Sequence, residues 1–252
     1  MLRWIALFAL LALPLRAEEQ VVLGLSQDEV AITATFDGSN VLIFGAVKRE
    51  EPIPTDSQLQ VIITVAGPSE SVIVRRKDRV AGIWANVEAL EVDLAPSFYA
   101  VLTSAPLADS LTGTEDLRQA ISPPRAIRSV GAPMGIVDAS AFTDALIRVR
   151  TEEGLYQVVE GAVDLEQDTL FRGQVTLPAN LTEGDYKTRI FLTRNGEVIN
   201  TYETVISINK VGLERWLYEL SRQQPFFYGL LSLAIAIIAG WGASAAFQAI
   251  RR

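Results

Sequence analysis

No cysteine and no histidine occur among the 252 residues. The first absence excludes a disulfide framework and thiol chemistry. The two together exclude Ser-His-Asp triads, Cys-His dyads and the usual zinc sites. Hard-cation sites built from carboxylates remain open in principle. The adjacent acids Asp28-Glu29, Glu50-Glu51, Glu115-Asp116 and Glu152-Glu153 follow no cation-loop spacing, however. Neighbours on a strand also point to opposite faces, so these pairs read as solvated surface. No nucleophile motif such as G-x-S-x-G is present. No metal or cofactor is expected, and the chain reads as a non-enzymatic accessory protein, with an envelope enzyme using carboxylates and a divalent cation as the weaker alternative.

Charge is missing from both ends. The opening "MLRWIALFALLALPLRAEEQ" has a basic start at Arg3, an apolar run from Trp4 to Leu13, a break at Pro14 and a small residue at Ala17. That order is a secretory signal peptide over residues 1–17, with cleavage after Ala17. Leu15 makes the site imperfect, and an uncleaved anchor is the alternative. The run is short of the ~20 apolar residues that a spanning helix needs. Near the other end, Phe226 to Ile250 carries no charge and is followed by Arg251-Arg252. This predicts a transmembrane helix at 225–250 and a cytoplasmic tail at 251–252. Phe226, Phe227 and Tyr228 fall where an interfacial aromatic belt belongs. The C-terminus is expected inside and everything before the span outside. Within the span, Gly240-x-x-x-Ser244 and Gly242-x-x-x-Ala246 have the spacing that lets two membrane helices approach closely. They are candidates for packing against a second copy or another membrane protein. Random small-residue content is the alternative.

Residues 18–221 hold all 30 acidic residues and all basic ones except Arg3, Arg16, Arg222, Arg251 and Arg252; 17 against 30 leaves −13. Such a surface repels nucleic acid, so none is expected as a partner. The texture from Val21 to Ser104 is β. Val30, Ile32, Ala34 and Phe36 alternate before Asp37-Gly38, and Val41, Ile43 and Gly45 resume after it, which predicts a hairpin. Gly67-Pro68 marks another turn. The spacing of six or seven strands predicts an immunoglobulin-like β-sandwich at 18–106. A helical connector follows at 107–153. It has a capping box at Thr112 and Glu115 and a second helix with Phe142, Ala145, Leu146 and Val149 on one face, ended by Gly154. A second β unit is expected at 154–210, with alternation through Phe171, Gly173, Val175 and Leu177 and a hairpin at Asn195-Gly196. Gly184-Asp185-Tyr186 has the form of a tyrosine corner. An amphipathic juxtamembrane helix at 211–224, with Leu213, Trp216, Leu217 and Leu220 on one face, leads to the span.

One stretch departs from the acidic background. "VIVRRKDRVAGIWANVEALEV" places Arg75, Arg76, Lys77 and Arg79 around Asp78. Such residues grip an oxyanion, a lipid phosphate or an acidic partner. Strand geometry puts Arg75 and Lys77 on one face and Arg76 on the other, so all four cannot converge. The alternative is a hairpin tip whose bases pair with the surrounding acids. Trp84 is either an aromatic platform or, as preferred from the sequence, a sandwich core residue.

Six blocks, "VVLGLSQDEVAITATFDGSNVLIFGA", "VIVRRKDRVAGIWAN", "PSFYAVLTS", "FTDALIRVRTEEGLY", "LPANLTEGDYKTRIFL" and "QQPFFYGLLSLAIAIIAGW", resemble in that order the putative transmembrane protein family of alphaproteobacteria. The resemblance covers nearly the whole chain after residue 17. It implies an inner-membrane protein with a periplasmic domain and carries over no catalytic residue. Because members of that family are often encoded beside sulfite exporters, it also implies an inner-membrane anion exporter as a partner.

Overall fold

The computed structural model describes residues 19–33, 36–49, 52, 57–129, 138–210 and 213–250. The expected signal peptide with its cleavage site at Ala17, the Glu50-Glu51 pair and the Arg251-Arg252 tail lie outside the described residues. The chain is mainly β, about 50% strand and 27% helix, with several sheets and one C-terminal apolar helix, as the patterning predicts. It falls into two compact units. One takes in residues 1–30 and 37–208, and the other residues 31–36 and 209–252.

In the larger unit a four-stranded sheet has the order β1-β3-β10-β9. Its strands are β1 (Gln20–Leu25), β3 (Ser39–Lys48), β9 (Val163–Glu166) and β10 (Leu170–Leu177). A six-stranded sheet has the order β2-β12-β11-β4-β7-β8. It contains β2 (Glu29–Ile32), β4 (Leu59–Ala66), β7 (Tyr99–Thr103), β8 (Tyr156–Val159), β11 (Gly184–Arg194) and β12 (Glu197–Lys210). All pairings with a defined register are antiparallel except β7–β8. The inner faces meet where a Cβ on Gly173 would stand 3.2 Å from Ile63 Cδ1. Val41, Ile43, Phe171, Val175 and Leu177 from one sheet and Val61, Ile63, Val65, Ile190 and Leu192 from the other are buried.

The sequence leaves open whether the β stretches 18–106 and 154–210 form one domain or two, and the strand pairing runs between them. β3 pairs with β10 and β4 with β11, so the two β stretches build both layers together. The hairpin expected around Asp37-Gly38 is absent. β2 lies beside β12, whereas β3 lies between β1 and β10. Alternation reports that one face of a strand is buried; it does not say which strand lies alongside. The Asp37-Gly38 segment instead carries the chain between sheets. Gly38 has φ +121°, and a Cβ there would stand 2.8 Å from Leu177 O.

Short helices cover the outer face of the six-stranded sheet. They are α1 (Leu107–Ser110), α2 (Gly113–Gln119) and α3 (Pro123–Ala126). Thr112 caps α2 by accepting from Glu115 N, as the capping-box spacing predicts. Leu117, however, is 63% exposed, so the inward residue of that turn is Glu115, paired with Arg118. Tyr99 donates to Ile121 O at 2.7 Å, and Arg189 donates to Gln119 O and Ala120 O, tying helices to sheet. α4 (Ala139–Glu152) buries Phe142 and Leu146 and leaves Val149 exposed; Gly154 follows at φ +73°. The tyrosine corner is formed. Tyr186 is buried and donates to Thr182 O at 2.7 Å. Asn195-Gly196 turns β11 into β12 with positive φ at both residues.

Candidate functional site

The basic cluster lies on β5 (Ser69–Val80), which pairs with β6 (Ile83–Pro96) alone. This ribbon prolongs the β4–β7 pair. Ala66 faces Tyr99 in register, Gly67 N donates to Phe98 O, Ser97 N donates to Pro68 O, and Ser69 faces Pro96. Among the described residues, the ladder then runs without a sheet neighbour to Val80 opposite Ile83. Ala81 (φ +50°) and Gly82 (φ +88°) make the tight turn, the backbone form that matches strand twist.

Near its root the ribbon is packed. Val92 and Leu90 are fully buried, and Leu94 bridges to Arg128. α4 supplies Arg150, 3.6 Å from Glu70, and Phe142, whose ring lies 4.8 Å beneath the Arg76 guanidinium. Arg76 also pairs with Glu88 at 2.9 Å. It therefore belongs to the packed face. Arg75, Lys77 and Arg79 alternate on the other face, all exposed. Among the described residues no ion pair forms to any of these three. One of the four predicted site residues is thus satisfied within the fold, and three stand together outside it.

Trp84 requires a correction. It is 69% exposed, directly opposite Arg79 on the outer face, and not in the sandwich core. The reason is its place. It lies one residue beyond the turn, at the end of the ribbon farthest from both sheets. Val80 and Ile83 beside it are 50% and 69% exposed. Sequence reasoning missed these two as surface residues. The available signal was Ala81-Gly82, a two-residue turn between strand-like runs.

A second charged constellation was not foreseen. Glu19 accepts from Arg49 Nε at 2.6 Å and from Arg194 Nη2 at 2.9 Å, with all three side chains nearly buried. Arg49 also donates to Asp168 O and Thr169, and Arg194 to Ser57 O. Burial pushes the Glu19 carboxyl up, but the hydrogen bonds and charges of the two arginines outweigh it and hold the group below its ordinary range. The three residues are far apart in sequence, so no local motif announces them. A separate open groove of about 360 Å³ is lined by Leu23, Leu25, Ser26, Gln27, Asp28, Tyr202 and Thr204.

In the smaller unit, α5 (Leu213–Gln223) and α6 (Pro225–Ile250) follow one another. Leu217 and Leu220 of the expected amphipathic face are half-buried; the Leu213 and Trp216 side chains lie outside the described residues. Pro225–Ser244 is apolar enough and long enough to cross a membrane, with mean hydropathy 1.9. A Cβ on Gly240 or Gly242 would meet nothing within 4 Å. Ser244 is exposed one turn on, and the Ala246 side chain lies outside the described residues. Phe226 and Phe227 are exposed and meet edge to face at 5.8 Å.

Among the described residues, a mainly β domain is followed by one helix long and apolar enough to cross a membrane. The family model described as putative transmembrane protein (Alph_Pro_TM) matches residues 20–249. The chain belongs to that family. No curated protein matches it.

Proposed function

We propose that the protein is a non-enzymatic accessory subunit. An export signal at 1–17 delivers its domain to the periplasm, one span holds it in the bacterial inner membrane, and the C-terminus stays in the cytoplasm. We read the sandwich as immunoglobulin-like, supported by the Tyr186–Thr182 corner. Its partner is an integral membrane protein, of the anion-exporter class or a second copy, met through the span at Gly240-x-x-x-Ser244 or at Gly242-x-x-x-Ala246, two small-residue pairs on opposite faces of the helix.

One observation carries this reading: the free cations are laid in a line on an open strand face. Side chains on alternate strand residues stand parallel, ~6.7 Å apart. That arrangement suits a broad surface. It does not suit capture of a small anion, which needs convergent donors in a concavity. Arg76, the fourth base, is turned to Glu88 on the opposite face. Anion capture is therefore the weaker reading.

The test is purification of the full-length protein from native membranes in mild detergent. An integral membrane protein or a second copy co-purifies, and the double variant Gly240→Leu with Gly242→Leu loses it. Recovery of a lone monomer from wild type, or retention of the partner by the double variant, overturns the span-mediated assembly.

A further inference from the structure

We propose that the distal β5–β6 ribbon is a lipid-contact finger. Its uncharged turn, Val80 to Ile83 with Trp84, enters the interface of an anionic bilayer, while Arg79, Lys77 and Arg75 meet lipid phosphates. The inference rests on the membrane-anchored reading and extends it.

The chemistry is graded along the ribbon. The four residues of the turn are uncharged, and Val80 and Ile83 expose half or more of their surface. One step back stand Arg79 and Trp84, opposite each other. Lys77 and Arg75 follow on the same face, each two residues further from the turn. Taking Val80 as the origin, a rise of ~3.3 Å per residue sets the three cations about 3, 10 and 17 Å behind the tip. Interfacial elements bury their apolar part ~5–10 Å into the headgroup and acyl boundary. The turn and Trp84 then reach the apolar boundary, and Trp takes the level it favours in membranes. Arg79 and Lys77 fall at phosphate depth. Arg75 stays outside but within a Debye length of ~8–10 Å of the surface charge.

Charge complementarity selects the occupant. A domain of net charge −13 repels an anionic bilayer almost everywhere. This outer face carries three cations with no ion pair among the described residues. Arg76, the base that the fold does use, is on the packed face against Phe142 and Glu88.

The ribbon and the chain that leads to the anchor leave the six-stranded sheet at the same end. The ribbon leaves the six-stranded sheet where β4 ends, beside the start of β11, as the Ala66–Lys187 register shows. β12 ends at that same end of the sheet, with Ile208 opposite Gly184. From there the chain continues through residues 209–224 to the apolar helix at Pro225. A tether of that length makes even a weak lipid contact intramolecular, with a high effective concentration.

The absence of cysteine makes a clean test available. Full-length protein carrying Ile83→Cys, Val158→Cys or Ile235→Cys is spin-labelled and reconstituted in bilayers of phosphatidylcholine, with or without phosphatidylglycerol. Collisions with oxygen and with a water-soluble nickel chelate then report depth. The label at 83 should become shielded from nickel in phosphatidylglycerol bilayers, the label at 158 should stay accessible, and the label at 235 should be shielded in both lipids. Arg75→Glu with Lys77→Glu and Arg79→Glu should abolish shielding at 83 and leave 235 unchanged. Equal nickel access at 83 and 158 in anionic bilayers overturns the finger. So does shielding at 83 that arises only when a second protein is added, which would make the occupant a protein. Nickel access at 235 would instead overturn the anchor.

Discussion

Glu19 stands between two arginines that sequence distance conceals, Arg49 some 30 residues on and Arg194 some 175 on. Replacing it with glutamine preserves shape and removes the charge, leaving two nearly buried guanidinium groups against an amide. Removing one member of a buried ion pair costs about 3–5 kcal/mol. The lower end is expected, because both arginines keep backbone carbonyl partners at Asp168 and Ser57. The dependence on pH follows from the direction of the shift. Glu19 is held below its ordinary value of 4.5, so its contribution is complete above that value and disappears as pH falls through the folded value. Urea unfolding should show a wide stability gap between wild type and Glu19→Gln at pH 7 that narrows steadily below pH 4.5. A gap that stays constant down to pH 3 would sink the assignment. The buried tyrosines act at the other extreme. Burial pushes the Tyr99 and Tyr186 phenols up to about 12. Their neutral forms favour the fold below pH 10, and that support fades as pH rises from 10 towards 12.

The ribbon sets a packed element against a bare one within a single strand. Leu90 is fully buried and Trp84 is 69% exposed, six residues apart on β6. Leu90→Ala should cost about 2–5 kcal/mol, as for other core truncations. Trp84→Ala should change stability by less than about 0.5 kcal/mol, although it removes the larger side chain. Thermal unfolding of the two variants decides between a surface Trp84 and a core one. A loss of several kcal/mol at Trp84 would return it to the core. This contrast also marks how far element-level patterning was legible. The alternation of β10, the α4 stripe at Phe142 and Leu146, the Thr112 cap and the Asn195-Gly196 turn are local, and each was visible in the sequence. Trp84 was misplaced because an aromatic in a strand-like run looks the same above a core as on an arm. Only the missing sheet neighbours of β5 and β6 distinguish the two.

The way the halves of the domain combine was not legible from patterning, because strand pairing across more than a hundred residues leaves no periodic trace. Val41 and Ile43 alternate as they would in a self-contained sandwich, yet their strand β3 takes β10 as a neighbour. β4 is likewise held by β11 on one side and β7 on the other. A fragment of residues 19–106 would lose the neighbours of β3 and β4 at β10 and β11. It would also lose Phe171, Val175, Ile190 and Leu192 from the shared core. Each buried side chain of this kind contributes about 1.5–3 kcal/mol, against a net stability of about 5–15 kcal/mol for a whole domain. The fragment should therefore show no cooperative transition by circular dichroism during denaturant titration. Residues 19–210, which keep every strand of both sheets, should unfold in one. Mixing fragments 19–106 and 107–210 should restore the transition, because β10 and β11 can re-enter their places between strands already matched in register. A cooperative transition from 19–106 alone would show that the early strands find partners among themselves, and the interleaved sheets would then not be what holds the domain together.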